Sequence, residues 1–177
     1  MDMYIGRIVM IARSRTGRVC AGYRVSSRSF PNRTASVYPD RIQIVPRPGH
    51  EGDVLKNPYI TYHCLKFACQ GAVAVVSNGS HTDPIAEKIE SGMGVRDAIA
   101  YSLLALDYEK DQYNTPRICG VADTREEGAG WLGIVRDNGV EVRRIFLEPG
   151  QFWYVATYEE VHICDRPRGD FTAETAK

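Results

Sequence analysis

The spacing of apolar and polar positions changes twice along this chain. Residues 4–12, "YIGRIVMIA", are mostly apolar and β-branched, the pattern of a largely buried strand. "RSRTGR" at 13–18 has turn chemistry, and "VCAGYRVS" at 19–26 alternates. Val19, Ala21, Tyr23 and Val25 share one face; Cys20, Gly22, Arg24 and Ser26 share the other. The two segments predict a hairpin, and Pro31 with Asn32 makes "SSRSFPNRT" the loop that leaves it. Further strands are predicted over 41–45, 59–68 and 71–78, and alternation in 59–68 puts Ile60, Tyr62, Cys64 and Lys66 on one face.

Past residue 80 the period lengthens. Asp83 and Pro84 have the chemistry of an N-cap and a first helical position, and Gly92 that of a C-terminal stop. A second helix is predicted over 95–108, with Val95, Ile99, Leu103 and Leu106 as its stripe and Ala98, Ser102 and Ala105 beside it. Strand patterns return at 117–122, 130–135, 140–147 and 152–158, and Asn138-Gly139 predicts a type I′ hairpin turn. Strand blocks around one helical pair mean α+β and not alternating βαβ. Residues 1–164 read as one domain and 165–177 as a polar tail.

Composition narrows the class. The 177 residues are 44% hydrophobic and 25% charged, an ordinary globular make-up. No apolar run reaches the roughly 18 residues needed to span a bilayer, and "MDMYIGRIVMIARSR" lacks the signal-peptide pattern. A cytoplasmic location and no membrane partner are expected. The five cysteines are odd in number and irregular in spacing, with no CxxC, so they read as small buried hydrophobes. The four histidines are scattered, and no metal site is indicated.

The zero net charge hides an uneven distribution. Residues 1–47 carry nine arginines, no lysine and two aspartates; the remainder carries 13 basic and 20 acidic residues. Arginine binds phosphate and carboxylate through a planar fork, which hints at anion recognition; internal pairing with the acidic remainder is the plainer alternative. Four stretches are candidates for chemistry. Arg24, Ser26, Ser27, Arg28 and Arg33 are a phosphate-binding set or a solvated loop. "SNGSHTDP" at 77–84 runs from a strand end into a helix start, where Asn78, Gly79 and Ser80 can hold an anion or simply form a turn. Glu109 at the end of the second helix faces the negative end of its dipole, which favours a raised proton affinity. Tyr62 and Lys66, on one strand face, offer an uncharged oxyanion donor and a cation, or an aromatic core residue and its neighbour.

Taken together, "YRVSSRSFPNRT", "GHEGDV" with "KNPYI", "VVSNGSHTD", and "RDAI", "SLLA", "DYEKD" and "NTPRI" resemble the archaeal-type IMP cyclohydrolases. The resemblance covers about residues 4–122, in order. It implies an N-terminal-nucleophile-hydrolase-like αββα sandwich of antiparallel sheets. The sequence supplies one clear helical pair, so one helical layer is expected to be reduced. It also implies closure of the formamido-carboxamide ribotide FAICAR to inosine monophosphate, without cofactor or metal, with Arg33, Tyr62 and Glu109 catalytic. Arg24, Ser26, Ser27, Arg28, Lys66, Asn78, Gly79 and Ser80 would then bind substrate. That family does without an N-terminal nucleophile, and this chain begins Met1-Asp2-Met3-Tyr4. The rival expectation is a nucleotide- or RNA-binding module using the arginine-rich segment. Against it, aromatics are not interleaved with the arginines as a stacking platform requires, so no nucleic-acid partner is expected. A homo-oligomer is compatible with either.

Overall fold

The computed structural model describes residues 4–173. Strands β1 (Ile8–Arg13) and β2 (Val19–Arg24) form the expected hairpin. They are followed by β3 (Arg33–Val37) and β4 (Arg41–Pro46), a short α1 (Asp53–Lys56) and β5 (Tyr62–Ala68). Next come β6 (Val73–Ser77) and the helices α2 (Thr82–Glu90) and α3 (Val95–Leu106). β7 (Arg117–Asp123), β8 (Ala129–Arg136), β9 (Gly139–Phe146), β10 (Gln151–Ala156) and β11 (Gly169–Asp170) complete the chain.

The strands form two antiparallel sheets: a seven-stranded one in the order β3-β4-β5-β6-β7-β8-β9, and a four-stranded one in the order β11-β10-β1-β2. They pack face to face. Val9 and Ile11 of β1, with Trp153 and Val155 of β10, meet Val76, Ile118, Leu132, Ile134 and Ile145 of the larger sheet. The other face of that sheet carries α2 and α3, packed through Ile85, Ile89, Ile99 and Leu103 onto Val73, Val75, Cys119 and Val121. The central strands are therefore apolar on both faces, which is why 71–78 reads as an uninterrupted apolar run. Two antiparallel sheets with few helices confirm the α+β class. Among the described residues, α2 and α3 are the only helices longer than a turn, and both lie on the larger sheet.

Several local expectations change. β3 is a strand that begins inside the expected loop: Arg33 pairs with Pro46. α2 starts at Thr82, with His81 before it, because Asp83 is drawn to side chains on β5 instead of capping the helix. Gly92 does end it, at φ +91°. Leu106 lies away from the core and half exposed, so the buried stripe of α3 stops at Leu103. The β8–β9 hairpin forms, but its loop is Asp137-Asn138 and no residue there has positive φ, so the type I′ turn is absent. Residues 169–170 are not loose tail: they pair with Phe152 and Gln151 of β10, and Arg168 lies 4.8 Å over the Tyr154 ring. The expected tail residues 174–177 lie outside the described residues.

α3 sits tightly on β8. A Cβ placed on Gly133 would lie 2.6 Å from Ile99 Cγ2 and 2.9 Å from Cys119 Sγ. Gly133→Ala must push the helix off the sheet. It should cost about 1–3 kcal/mol of unfolding free energy in urea titration, and a change under about 0.5 kcal/mol would show that the interface yields freely.

Candidate active site

A cavity of about 880 Å3 opens where the lead into β1, the loop 26–32 with Arg33 of β3, residues 57–60, and the end of α3 with the loop 107–113 converge. That volume is in the range of small-molecule sites. At its inner wall stands Glu109. Its two carboxylate oxygens each accept a hydrogen bond from Arg7 Nη1 at 3.1 Å, and Arg117 Nη1 lies 3.7 Å away. Burial alone would lower the Arg7 pKa, but Glu109, with Tyr23 and Tyr62, more than offsets it and the net direction is upward.

The backbone explains why these groups meet. Gly6 has φ +81°, and a Cβ there would stand 2.3 Å from Thr157 Oγ1. The chain can hug the loop after β10 only because it has glycine here, and Thr157 Oγ1 accepts from the Arg7 N–H at 3.1 Å. Beyond α3, Asp107 turns at φ +55°, and its carbonyl accepts from Arg117 Nε at 2.8 Å. Glu109 then bridges to Thr115, and Asp111 accepts from the N–H groups of Tyr113 and Thr115. Glu109 thus sits past the helix end in a small ordered loop. Its electrostatic setting is made by Arg7 and Arg117, and not by the α3 dipole as the sequence suggested.

Arg33 lines the same cavity at 5% exposure. Its Nε donates to the Phe30 carbonyl at 3.1 Å, while its buried Nη2 has no partner. A buried guanidinium nitrogen without an acceptor is costly unless something else supplies one. Tyr62, 6% exposed, is not among the lining residues. It lies beneath them, its hydroxyl 2.7 Å from that of Tyr23, tying the two sheets together. Burial raises its pKa, with Arg7 and Arg33 acting in the opposite sense. The phenol is therefore a neutral hydrogen-bonding group at neutral pH.

Ser26, Ser27 and Arg28 line the same cavity. Arg28 lies 4.3 Å over the Tyr4 ring, with Tyr113 and Tyr158 at 5.4 and 6.0 Å. Arg24 is exposed and outside the cavity, as is Ser80. Asn78 and Gly79 are buried behind it. Asn78 donates to the Pro116 carbonyl at 2.9 Å and accepts from Ile118 N–H at 2.8 Å, clamping β7 on either side of Arg117. A Cβ on Gly79 would fall 2.9 Å from Arg117 Nη1. Both residues shape the site through Arg117 and do not line it.

Lys66 is the clearest displacement. Gln43 pairs with His63 and Ile42 with Leu65, so Cys64 is an extra, bulged residue. The bulge reverses the alternation: Leu65 joins Tyr62 in the cluster facing the smaller sheet, while Lys66 joins His63 on the side of α2. There both bond Asp83, at 3.0 and 2.9 Å, and they hold its pKa down although burial alone would raise it.

Sequence reasoning missed Arg7, Arg117, Tyr4, Tyr23, Tyr113 and Tyr158. Arg7 lay in the acid-free arginine segment and Arg117 in the "NTPRI" block, but nothing local pairs either with Glu109.

The family model described as IMP cyclohydrolase-like protein matches residues 4–177. The chain belongs to this family. An IMP cyclohydrolase of Methanosphaera stadtmanae is 51% identical over 176 residues, spanning 99% of this chain and 82% of the relative. One from Methanococcus maripaludis is 46% identical, spanning 99% of this chain and 84% of the relative. One from Methanocaldococcus jannaschii is 43% identical over 99% of this chain and 83% of the relative.

Behind the site, His81 is fully buried. Its Nε2–H donates to the Ile118 carbonyl at 2.9 Å, and burial, with Arg117 and Arg7 nearby, lowers its pKa from 6.5 to about 3. The folded state thus refuses a proton that the unfolded chain accepts. The stabilisation is complete above pH 6.5 and is lost as pH falls toward 3. Unfolding free energy should drop by up to about 1.4 kcal/mol per pH unit across that window, and His81→Gln should flatten that slope. An unchanged slope would mean that His81 takes no part.

Proposed function

We propose that the protein is an IMP cyclohydrolase that closes FAICAR to inosine monophosphate with loss of water, in purine biosynthesis. The observation that carries this reading is Glu109 between Arg7 and Arg117, facing a cavity also lined by Arg33, whose buried Nη2 has no partner, in a chain of this family.

The substrate carries both reacting groups on one imidazole ring, so much of the proximity advantage, on the order of 10⁵–10⁸ M effective molarity, is built in. What remains is to turn the formyl group inward, take a proton from the carboxamide nitrogen and stabilise charge on the formyl oxygen. The carboxamide nitrogen attacks the formyl carbon, a C–N bond forms, and Glu109 accepts the nitrogen's proton. Arg33 Nη2 donates to the oxygen as it becomes anionic, which satisfies its own stranded donor. Tyr62, neutral and beneath the lining residues, supports the chemistry from behind through its hydroxyl pair with Tyr23. Glu109 returns its proton to the formyl oxygen, giving a hydroxyl. The hydroxyl leaves as water with the proton of the formamide nitrogen, and the C=N bond completes the pyrimidine ring. Arg7 and Arg117 hold the carboxylate against rotation throughout. Phosphate recognition falls to Arg28, Ser26 and Ser27, which line the same cavity.

We also infer that the sandwich is related to the N-terminal-nucleophile hydrolases, with helices on one side in the described residues, that residues 1–164 form one domain to which β11 adds an edge strand, and that the enzyme works in the cytoplasm. Arg7, Arg28 and Arg33 line a cavity, and Arg13 and Arg41 pair with Glu127 and Asp40. Such a dispersed set supports a small ligand over a nucleic-acid strand.

Purified protein mixed with FAICAR should produce inosine monophosphate, followed by absorbance. Glu109→Gln should lower kcat about 10²–10⁴-fold, and Arg33→Lys about 10²-fold, each with a smaller change in KM. Near-normal turnover in either variant removes that residue from the chemistry.

A further inference from the structure

We propose that Tyr4, Tyr113 and Tyr158 form an aromatic box that presents Arg28 as the reader of the substrate's 5′-phosphate. This rests on the cyclohydrolase reading and specifies how one end of its site selects a phosphorylated substrate.

Three segments distant in sequence build the box. Tyr4 comes from the lead into β1, Tyr113 from the loop that also carries Glu109, and Tyr158 from the turn past β10. Tyr4 and Tyr158 are tilted against each other at 5.5 Å, and Tyr113 meets Tyr158 edge-on at 6.4 Å. The Arg28 guanidinium lies 4.3, 5.4 and 6.0 Å from the three ring centres. Hydroxyl contacts fix two of the rings. Ser26 Oγ donates to the Tyr4 hydroxyl at 3.3 Å, and Tyr158 shares a 2.9 Å hydrogen bond with Thr115 Oγ1.

The box holds a cation without cancelling it. Elsewhere in the site Arg7 and Arg117 are matched by Glu109. Arg28 has no acidic partner among the described residues, and its neighbours are ring faces. A ring quadrupole attracts the guanidinium but carries no net charge and takes none of its N–H donors. The fork is thus held in place with its charge and donor edge free for a ligand, as bidentate binding of a phosphate oxygen pair requires. Ser27 adds to the same wall. Its Oγ accepts from the Phe30 N–H at 3.1 Å, leaving its own hydroxyl proton to donate. The tyrosines act through Arg28 and are positioning residues.

The test compares FAICAR with its 5′-dephosphorylated riboside, and adds calorimetric titration with inorganic phosphate. Tyr113 is 50% exposed on a surface loop, so its substitution spares the core. Tyr113→Ala should raise KM for FAICAR about three- to thirtyfold, with kcat falling less, and should leave KM for the riboside within about twofold. Tyr113→Phe, which keeps the ring face, should restore KM. In an Arg28→Ala background, Tyr113→Ala should add nothing further. Tyr101→Ala, on the exposed side of α3 and outside the cavity, is the neutral control. The proposal falls if Tyr113→Ala weakens ribotide and riboside equally, if Phe is as poor as Ala, or if the Tyr113 effect persists without Arg28. If the wild type closes neither compound, the cyclohydrolase reading fails. The box then stands or falls on the phosphate titration alone: binding lost in both Tyr113→Ala and Arg28→Ala supports it, and no binding by the wild type overturns it.

Discussion

A single carboxylate surrounded by arginines organises this molecule. Glu109 joins Arg7, which leads into the smaller sheet, to Arg117, which opens a central strand of the larger one. Two cations around one anion leave excess positive charge, and the Arg33 guanidinium beside them adds more. Breaking such a partly buried group by removing one member strands the rest in a poorly solvating environment. The relative placement of the two sheets and the course of the 107–116 loop are therefore tied to one electrostatic arrangement. The same arrangement leaves the cavity ready for an anionic ligand.

Most of the supporting detail keeps Arg7 and Arg117 in place. Gly6 lets the chain approach Thr157, Asp107 accepts the left-handed region so that its carbonyl can meet Arg117, and Asn78 and Gly79 hold and make room for that arginine. In the strand-to-helix turn at 77–82, Ser77, Gly79 and Thr82 bond one another, while Asn78 and His81 bond Pro116 and Ile118. These bonds brace the turn against the start of β7. The 107–116 loop has a double duty, since it carries both Glu109 and Tyr113 to the cavity. Anything that disturbs Asp111 or Thr115 reaches Glu109 and Tyr113 together.

Of the residues singled out from sequence, Ser26, Ser27, Arg28, Arg33 and Glu109 line one cavity, and Tyr62 lies beneath it. These were legible because they fall in short blocks whose local order survives folding. Asn78 and Gly79 were legible as special residues but not in their function, because what they meet is Pro116 and Ile118 for the one and Arg117 for the other, nearly forty positions away. Arg24 and Ser80 face solvent at the ends of their segments. Lys66 was misplaced by a rule that holds until a bulge occurs. Alternation sets facing only while each residue has one partner across the ladder, and Cys64 has none.

The sequence by itself determined the α+β class, the β1–β2 hairpin, the helical pair with its Gly92 stop, the strands of the C-terminal half and the kinship to the cyclohydrolases. Each is written in short-range periodicity, in turn chemistry or in local blocks of residues. Tertiary structure alone decided that Arg7 would meet Glu109, 102 positions on, and that three scattered tyrosines would close around Arg28. Hydrophobic period states which face of a strand is buried, and carries no term for which distant charge will lie beyond it. That pairing is settled only when burial of the two sheets against each other brings the charged ends together and removes the water that would otherwise have separated them.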